Sequence, residues 1–163
     1  MIDPLLQLTL ALPLFLLFVS AGQHKRTQAQ RFKAQLEAYE LLPKSISPAV
    51  ARLLPWLEIA TGVSLLIPVT REIAAMVAML VLAMYAMAVL ANLLRGRRNI
   101  DCGCGGAPAP LSYTLVLRNS GLAIAALIIT LPSAERSLQV TDAVAMIGLS
   151  VLLALSYLCI GQL

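Results

Sequence analysis

Five runs of about twenty mostly apolar residues, at roughly 4–22, 49–68, 73–94, 113–131 and 142–160, take up most of this 163-residue chain. A bilayer core needs about 20 such residues per crossing helix. With a mean hydropathy of +0.86 and only 12% charged residues, the chain falls outside the soluble globular class. The expected fold is therefore all-α: a multispanning transmembrane helical bundle forming a single domain over 1–163. The first run is preceded by Asp3 and followed by the basic "HKRTQ", the reverse of a cleaved signal peptide, so it is read as a retained span. No repeat or low-complexity tract interrupts the pattern.

The formal net charge of +4 resides in loops, where it reports orientation and gives nucleic-acid binding little support. If all five runs cross, Lys25, Arg26, Arg31, Lys33, Lys44, Arg52, Arg95, Arg97 and Arg98 share one side, and only Arg71 and Arg136 fall on the other. Such a bias predicts a multi-pass protein of the cell (inner) membrane with its N-terminus outside and the 23–48 and 95–112 loops in the cytoplasm.

Between the first two spans, "RFKAQLEAYELLP" places Phe32, Leu36, Tyr39 and Leu42 at helical spacing. This pattern predicts a short amphipathic helix lying in the interface. In "PVTRE", Pro68 should end one helix and Thr70 should cap the next, with Glu72 in its first turn; Thr141 is the analogous cap of the fifth span.

Charge inside hydrocarbon costs about 2.5–3.5 kcal/mol on insertion scales, so each case needs a partner or a purpose. Glu58 in the second span and Arg118 in the fourth enter from the same side to similar depth. They are expected to pair, either to hold two helices together or to tune a site and move protons. Asn92 and Asn119 belong to the same layer, and Cys159 returns to this side near the end of the fifth span. Gly62, one turn beyond Glu58, fits close helix packing. Trp56 and Tyr113 read as interfacial aromatics, His24 as a solvated loop residue, and Met76, Met79, Met84 and Met87 as gap fillers in preference to copper ligands.

The polar half also holds "NIDCGCGGAP", with Cys102 and Cys104 separated by Gly103. Vicinal thiols at this spacing can close a small strained ring, because the glycine has no side chain to clash. Strain raises the reduction potential and favours exchange over a structural role. The same pair is half of a tetrahedral soft-metal site, which no second pair completes, so no metal site is assigned. Redox chemistry, metal binding and neither all remain open. Cys159 reads as packing, with a third ligand or resolving thiol as the alternatives.

In order, "FKAQLEAYELLP", "LLPWLEIATG", "LLRGRRNIDCGCGG" and "LSYTLVLRN" resemble the MauE group of the DoxX-like redox-associated membrane proteins. The family motif continues D-C-G-C-F-G, and Gly105 departs from it. The resemblance implies a four-helix DoxX-like core, here with a fifth C-terminal span. It further implies a membrane protein that works with a thioredoxin-like (MauD-like) partner to mature an exported client, the disulfide-rich small subunit of methylamine dehydrogenase in the name-giving case. Cys102 and Cys104 match the family's cysteine pair, whereas Glu58, Arg118 and Asn119 match its intramembrane polar positions. Because these clients fold outside the membrane while the charge count puts the cysteines inside, outward electron transfer would need loop movement, a quinone as cofactor, or another protein.

Overall fold

The computed structural model describes residues 2–100, 110–132, 142, 144 and 146–151. Its helices are α1 (Pro4–Thr27), α2 (Ala29–Ala38), α3 (Ser47–Leu66), α4 (Arg71–Leu94) and α5 (Tyr113–Ile129), and no strand forms among the described residues. By length and composition α1, α3 and α4 can each cross a membrane, and α5 is a shorter apolar helix. This is the expected multispanning helical bundle. Of the expected fifth span, residues 142, 144 and 146–151 are helical; Thr141 and the remainder lie outside the described residues.

Helix boundaries follow local chemistry. Asp3 caps α1 by accepting from the Leu5 N–H at 2.8 Å, with Pro4 in the first turn, where its missing N–H costs nothing. At the other end α1 runs five residues beyond the expected limit of 22, carrying His24, Lys25 and Arg26 in its last turn. α3 ends at Leu66 because Ile67 is forced into the extended region (φ −88°, ψ 118°) by the following Pro68. Thr70 precedes α4 without the expected side-chain cap; its hydroxyl instead donates to the Ser64 carbonyl at 2.9 Å, closing the α3–α4 hairpin.

Two devices satisfy backbone groups that a hydrocarbon environment would leave stranded. Pro13 lies inside α1 and cannot bond to the carbonyl of Thr9, four residues earlier. The Ser150 hydroxyl donates to that carbonyl at 3.3 Å. At the end of α5, the buried Gln7 side chain donates to the carbonyls of Ile129 (3.1 Å) and Leu131 (2.8 Å), which have no intrahelical partner.

Between lipid-exposed helices close packing replaces the hydrophobic effect as the cohesive term. Ala11, Leu14 and Phe18 of α1 meet Leu65 of α3, the small face Ala74, Ala75 and Ala78 of α4, and Ala126 and Ile129 of α5. Gly62 lies against Phe15, Phe18 and Val19, as its position beside Glu58 suggested, and Gly22 on α1 lies against Pro55 and Ile59. α2 packs Phe32 and Leu36 against Ala51 and Leu54 of α3, so it is docked on the bundle. Tyr39 follows α2 and packs near Val89, Leu93 and Leu111, whereas Leu42 is exposed.

Candidate functional site

Each helix brings its polar residues in along its buried stripe. On α1 the stripe reads Gln7, Ala11, Leu14, Phe18, Gly22 and Lys25, at steps of four, three, four, four and three, so the last turn points a lysine inward. On α3 the buried face includes Leu54, Pro55, Glu58, Thr61 and Gly62. On α4, Tyr85 lies between buried Leu82 and Val89, one turn from each.

The three meet in one cluster. Lys25 Nζ lies 2.5 Å from Glu58 Oε1 with both side chains almost fully buried. Tyr85 accepts from Lys25 Nζ at 3.1 Å and donates to Glu58 Oε1 at 2.6 Å, using both capacities of a phenolic hydroxyl. The ammonium also faces the rings of Tyr85 (4.7 Å to the centroid) and Phe32 (5.4 Å), a placement that aromatic faces favour. Glu58 Oε2 is buried and has no hydrogen-bond partner among the described residues. The cluster thus holds one compensated charge pair and one acceptor oxygen with no partner among the described residues.

The expected pairing of Glu58 with Arg118 is corrected here: the carboxylate is met by Lys25 and Tyr85. The reason is the length of α1. Counting "HKRTQ" as loop put Lys25 in water, whereas the helix continues through it and turns it onto the Glu58 face. Arg118 is half-buried on α5. Asn119 is buried on the same face as Ala126, two turns away. Asn92 is fully buried; its amide donates to the Ala88 carbonyl at 3.1 Å, and its Oδ1 has no partner among the described residues. Trp56 and Tyr113 are exposed, as interfacial aromatics should be, and so are Met76, Met84 and Met87, while Met79 packs on the core.

Cys102, Cys104 and Cys159 lie outside the described residues, but both roots of the cysteine-bearing segment are described. α4 ends with reverse bonds from Gly96 N–H to Leu93 O and from Arg97 N–H to Asn92 O, both 3.0 Å. Gly96 sits at φ +74°, a conformation that costs glycine nothing. Arg97 then pairs with Glu40 at 2.7 Å, just beyond α2. This contact holds the Glu40 carboxyl below its usual range, first by the hydrogen bond and then by the guanidinium charge, and raises Arg97 in turn. Leu111 N–H donates to Arg98 O at 3.0 Å and buries its side chain against Val89 and Leu93. The two ends of the 99–110 segment are therefore clasped together at the end of α4.

Long apolar helices around a buried lysine and glutamate and a partly buried tyrosine define a multi-pass membrane protein with a charged cluster in its core. The family model described as methylamine utilisation protein MauE matches residues 3–132, and the chain belongs to that family. The methylamine utilization protein MauE of Paracoccus denitrificans is 38% identical over 138 residues, 82% of this chain and 74% of its own. That of Methylophilus methylotrophus is 32% identical over 160 residues, covering 96% and 84%, and that of Methylorubrum extorquens is 36% identical over 115 residues, covering 69% and 62%. No solved structure gives a significant match.

Proposed function

We propose that the chain is an accessory protein of methylamine utilisation that serves as a membrane thiol–disulfide maturation factor. Cys102 and Cys104 cycle between dithiol and disulfide, a thioredoxin-like protein exchanges with them, and the client is an exported enzyme subunit of the methylamine dehydrogenase small-subunit type. The observation that carries this reading is the clasped base of the C-G-C segment in a member of the MauE family. Arg98 and Leu111 are bonded to each other, and Cys102 follows Arg98 by four residues, a chain length that reaches no more than about 14 Å. Arg95, Arg97 and Arg98 precede the pair in sequence and favour a thiolate at one sulfur, while Asp101 opposes it.

The exchange balances in two steps. A thiolate of the pair attacks the partner's disulfide, forming a mixed disulfide and releasing one partner thiolate, which takes up a proton. The second thiol of the pair, deprotonated, then attacks the mixed disulfide, closing the Cys102–Cys104 bond and releasing the partner as a dithiol. Two electrons pass to the partner, and the reverse sequence returns them. Cys104 is the proposed attacker, because it lies farther from Asp101 and is followed by Gly105 and Gly106, which permit close approach of another backbone. Glu58, Asn92, Arg118 and Asn119 form the supporting polar layer, and Cys159 has no step in the exchange. A quinone is the candidate electron acceptor where transfer must cross the membrane.

Cys102→Ser should accumulate a reductant-sensitive adduct with a thioredoxin-like protein, through unresolved Cys104, and Cys104→Ser should accumulate much less. If neither variant traps a protein while the wild type binds one equivalent of Cu(I), the pair is a metal clip. An undiminished client yield from the double-serine variant would make the protein a noncatalytic scaffold.

A further inference from the structure

Outside the buried cluster, the C-terminal turn of α1, α2 and the first half of α3 enclose a groove of about 460 Å³ whose wall includes Lys25, Arg26, Gln30, Lys33, Arg52 and Trp56. Four of these six side chains are cationic, and their compensation is uneven. Lys25 is neutralised by Glu58, and Lys33 has only a loose 3.8 Å contact with Glu37. Arg26 and Arg52 form no ion pair among the described residues. The groove therefore holds more positive than negative charge within one small volume, and exposed arginines cannot face hydrocarbon, so it opens at headgroup depth. The Arg26 guanidinium stacks on Trp56, 3.9 Å from the ring centroid, which fixes its planar fork. One and two turns deeper than Trp56 on the same side of α3, the exposed Ala60 and Val63 (46% exposed) continue an apolar surface along the helix.

We infer that this groove binds the headgroup of an anionic phospholipid. The phosphodiester lies among Arg26, Lys33 and Arg52, with Trp56 at the level of the glycerol backbone and the acyl chains along Ala60 and Val63. A basic recess bounded by an apolar helix face accommodates both halves of such a molecule. A soluble anion would leave the apolar half unused. Lys25 connects the site to the interior, since the same ammonium that lines the groove holds Glu58.

Trp56 is the only tryptophan, so it reports occupancy directly. The full chain would be reconstituted in phosphatidylcholine vesicles containing a minor fraction of brominated phosphatidylglycerol or, separately, of brominated phosphatidylcholine. The anionic lipid should quench Trp56 fluorescence at several-fold lower mole fraction, and millimolar inorganic phosphate should not reverse it. Arg26→Gln with Arg52→Gln should reduce the preference by roughly fivefold per charge removed. Arg31→Gln with Lys44→Gln removes the same charge away from the groove and should leave the preference intact. Unchanged helical circular dichroism and elution volume verify that each variant is folded. Equal quenching by the two lipids would overturn the inference, as would equal loss of preference in both double variants, which reports diffuse attraction only. Reversal by phosphate, or displacement of the lipid by a soluble oligoglutamate peptide, would reassign the groove to a free anion or to an acidic protein segment.

Discussion

At the scale of single residues, the charged core is a matter of which group completes which. A buried ion pair contributes little net stability when both partners are present, because desolvation offsets attraction. Removing one partner leaves a bare charge and costs about 3–5 kcal/mol. Lys25→Met and Glu58→Leu should therefore each lower the yield and thermal midpoint of detergent-solubilised protein sharply, and the double variant should lose less than the sum. Strict additivity would show that the two are uncoupled. Tyr85→Phe keeps the ring over the ammonium and removes one donor, so it should be milder than either. Outside the membrane, Glu40 is held below its ordinary value of 4.5 by Arg97. A carboxylate lowered in this way adds stability that is complete above the ordinary value and is lost as pH falls through the lowered one. Protection of the Leu111 amide from hydrogen exchange, corrected for intrinsic rates, should therefore weaken as pH falls below about 4.5, and this dependence should vanish in Glu40→Gln. Glu58, Asn92 and Asn119 were legible as buried polar groups because each interrupts an apolar run. Lys25 and Tyr85 were missed, although the steps from Ala11 through Phe18 to Lys25, and from Ala78 through Leu82 to Tyr85, place both on buried stripes. Hydropathy weights composition over phase, and a lysine at the end of an apolar run is scored as loop.

At the scale of elements, the helices covering the first four apolar runs followed from length and hydropathy to within a few residues, except at the C-terminus of α1. How closely the helices approach was only half legible. Gly62 stood out beside Glu58, but Gly22, at the foot of α1, gave no such sign. A Cβ on Gly22 would lie 2.7 Å from both the Pro55 carbonyl oxygen and an Ile59 methylene, so α1 and α3 would have to separate. Gly22→Ala should cost roughly 1–3 kcal/mol, read as a lower midpoint of thermal aggregation. Gly121, in α5, has open space around it, and its alanine variant should be neutral or slightly stabilising because alanine is the better helix former. If both variants behave alike, the α1–α3 contact is looser than the geometry requires. The α4 terminus also explains why a loop so rich in glycine can still begin at a defined place: Gly96 reverses the chain and Arg97 fastens it to the end of α2.

For the molecule as a whole, the asymmetry of polar groups was legible in outline. Burial of Lys25 inside α1 removes one cation from the loop count, leaving eight on the cysteine side against Arg71 and Arg136 on the other. The bias remains heavily one-sided, and it predicts the 23–48 and 95–112 loops on the cytoplasmic side. A membrane-impermeant maleimide should fail to label reduced Cys102 and Cys104 in sealed cells and should label them after the membrane is opened. Efficient labelling in sealed cells would place the pair on the outer face, beside the exported client. The proline in the first helix has a consequence in time. Thr9 receives its hydrogen bond from Ser150, 141 residues further along the chain, so when α1 enters the bilayer during synthesis the group that will complete its backbone has yet to be translated. Until then, that carbonyl must rely on water, lipid headgroups or the insertion machinery, and the first helix to be made is among the last to be finished.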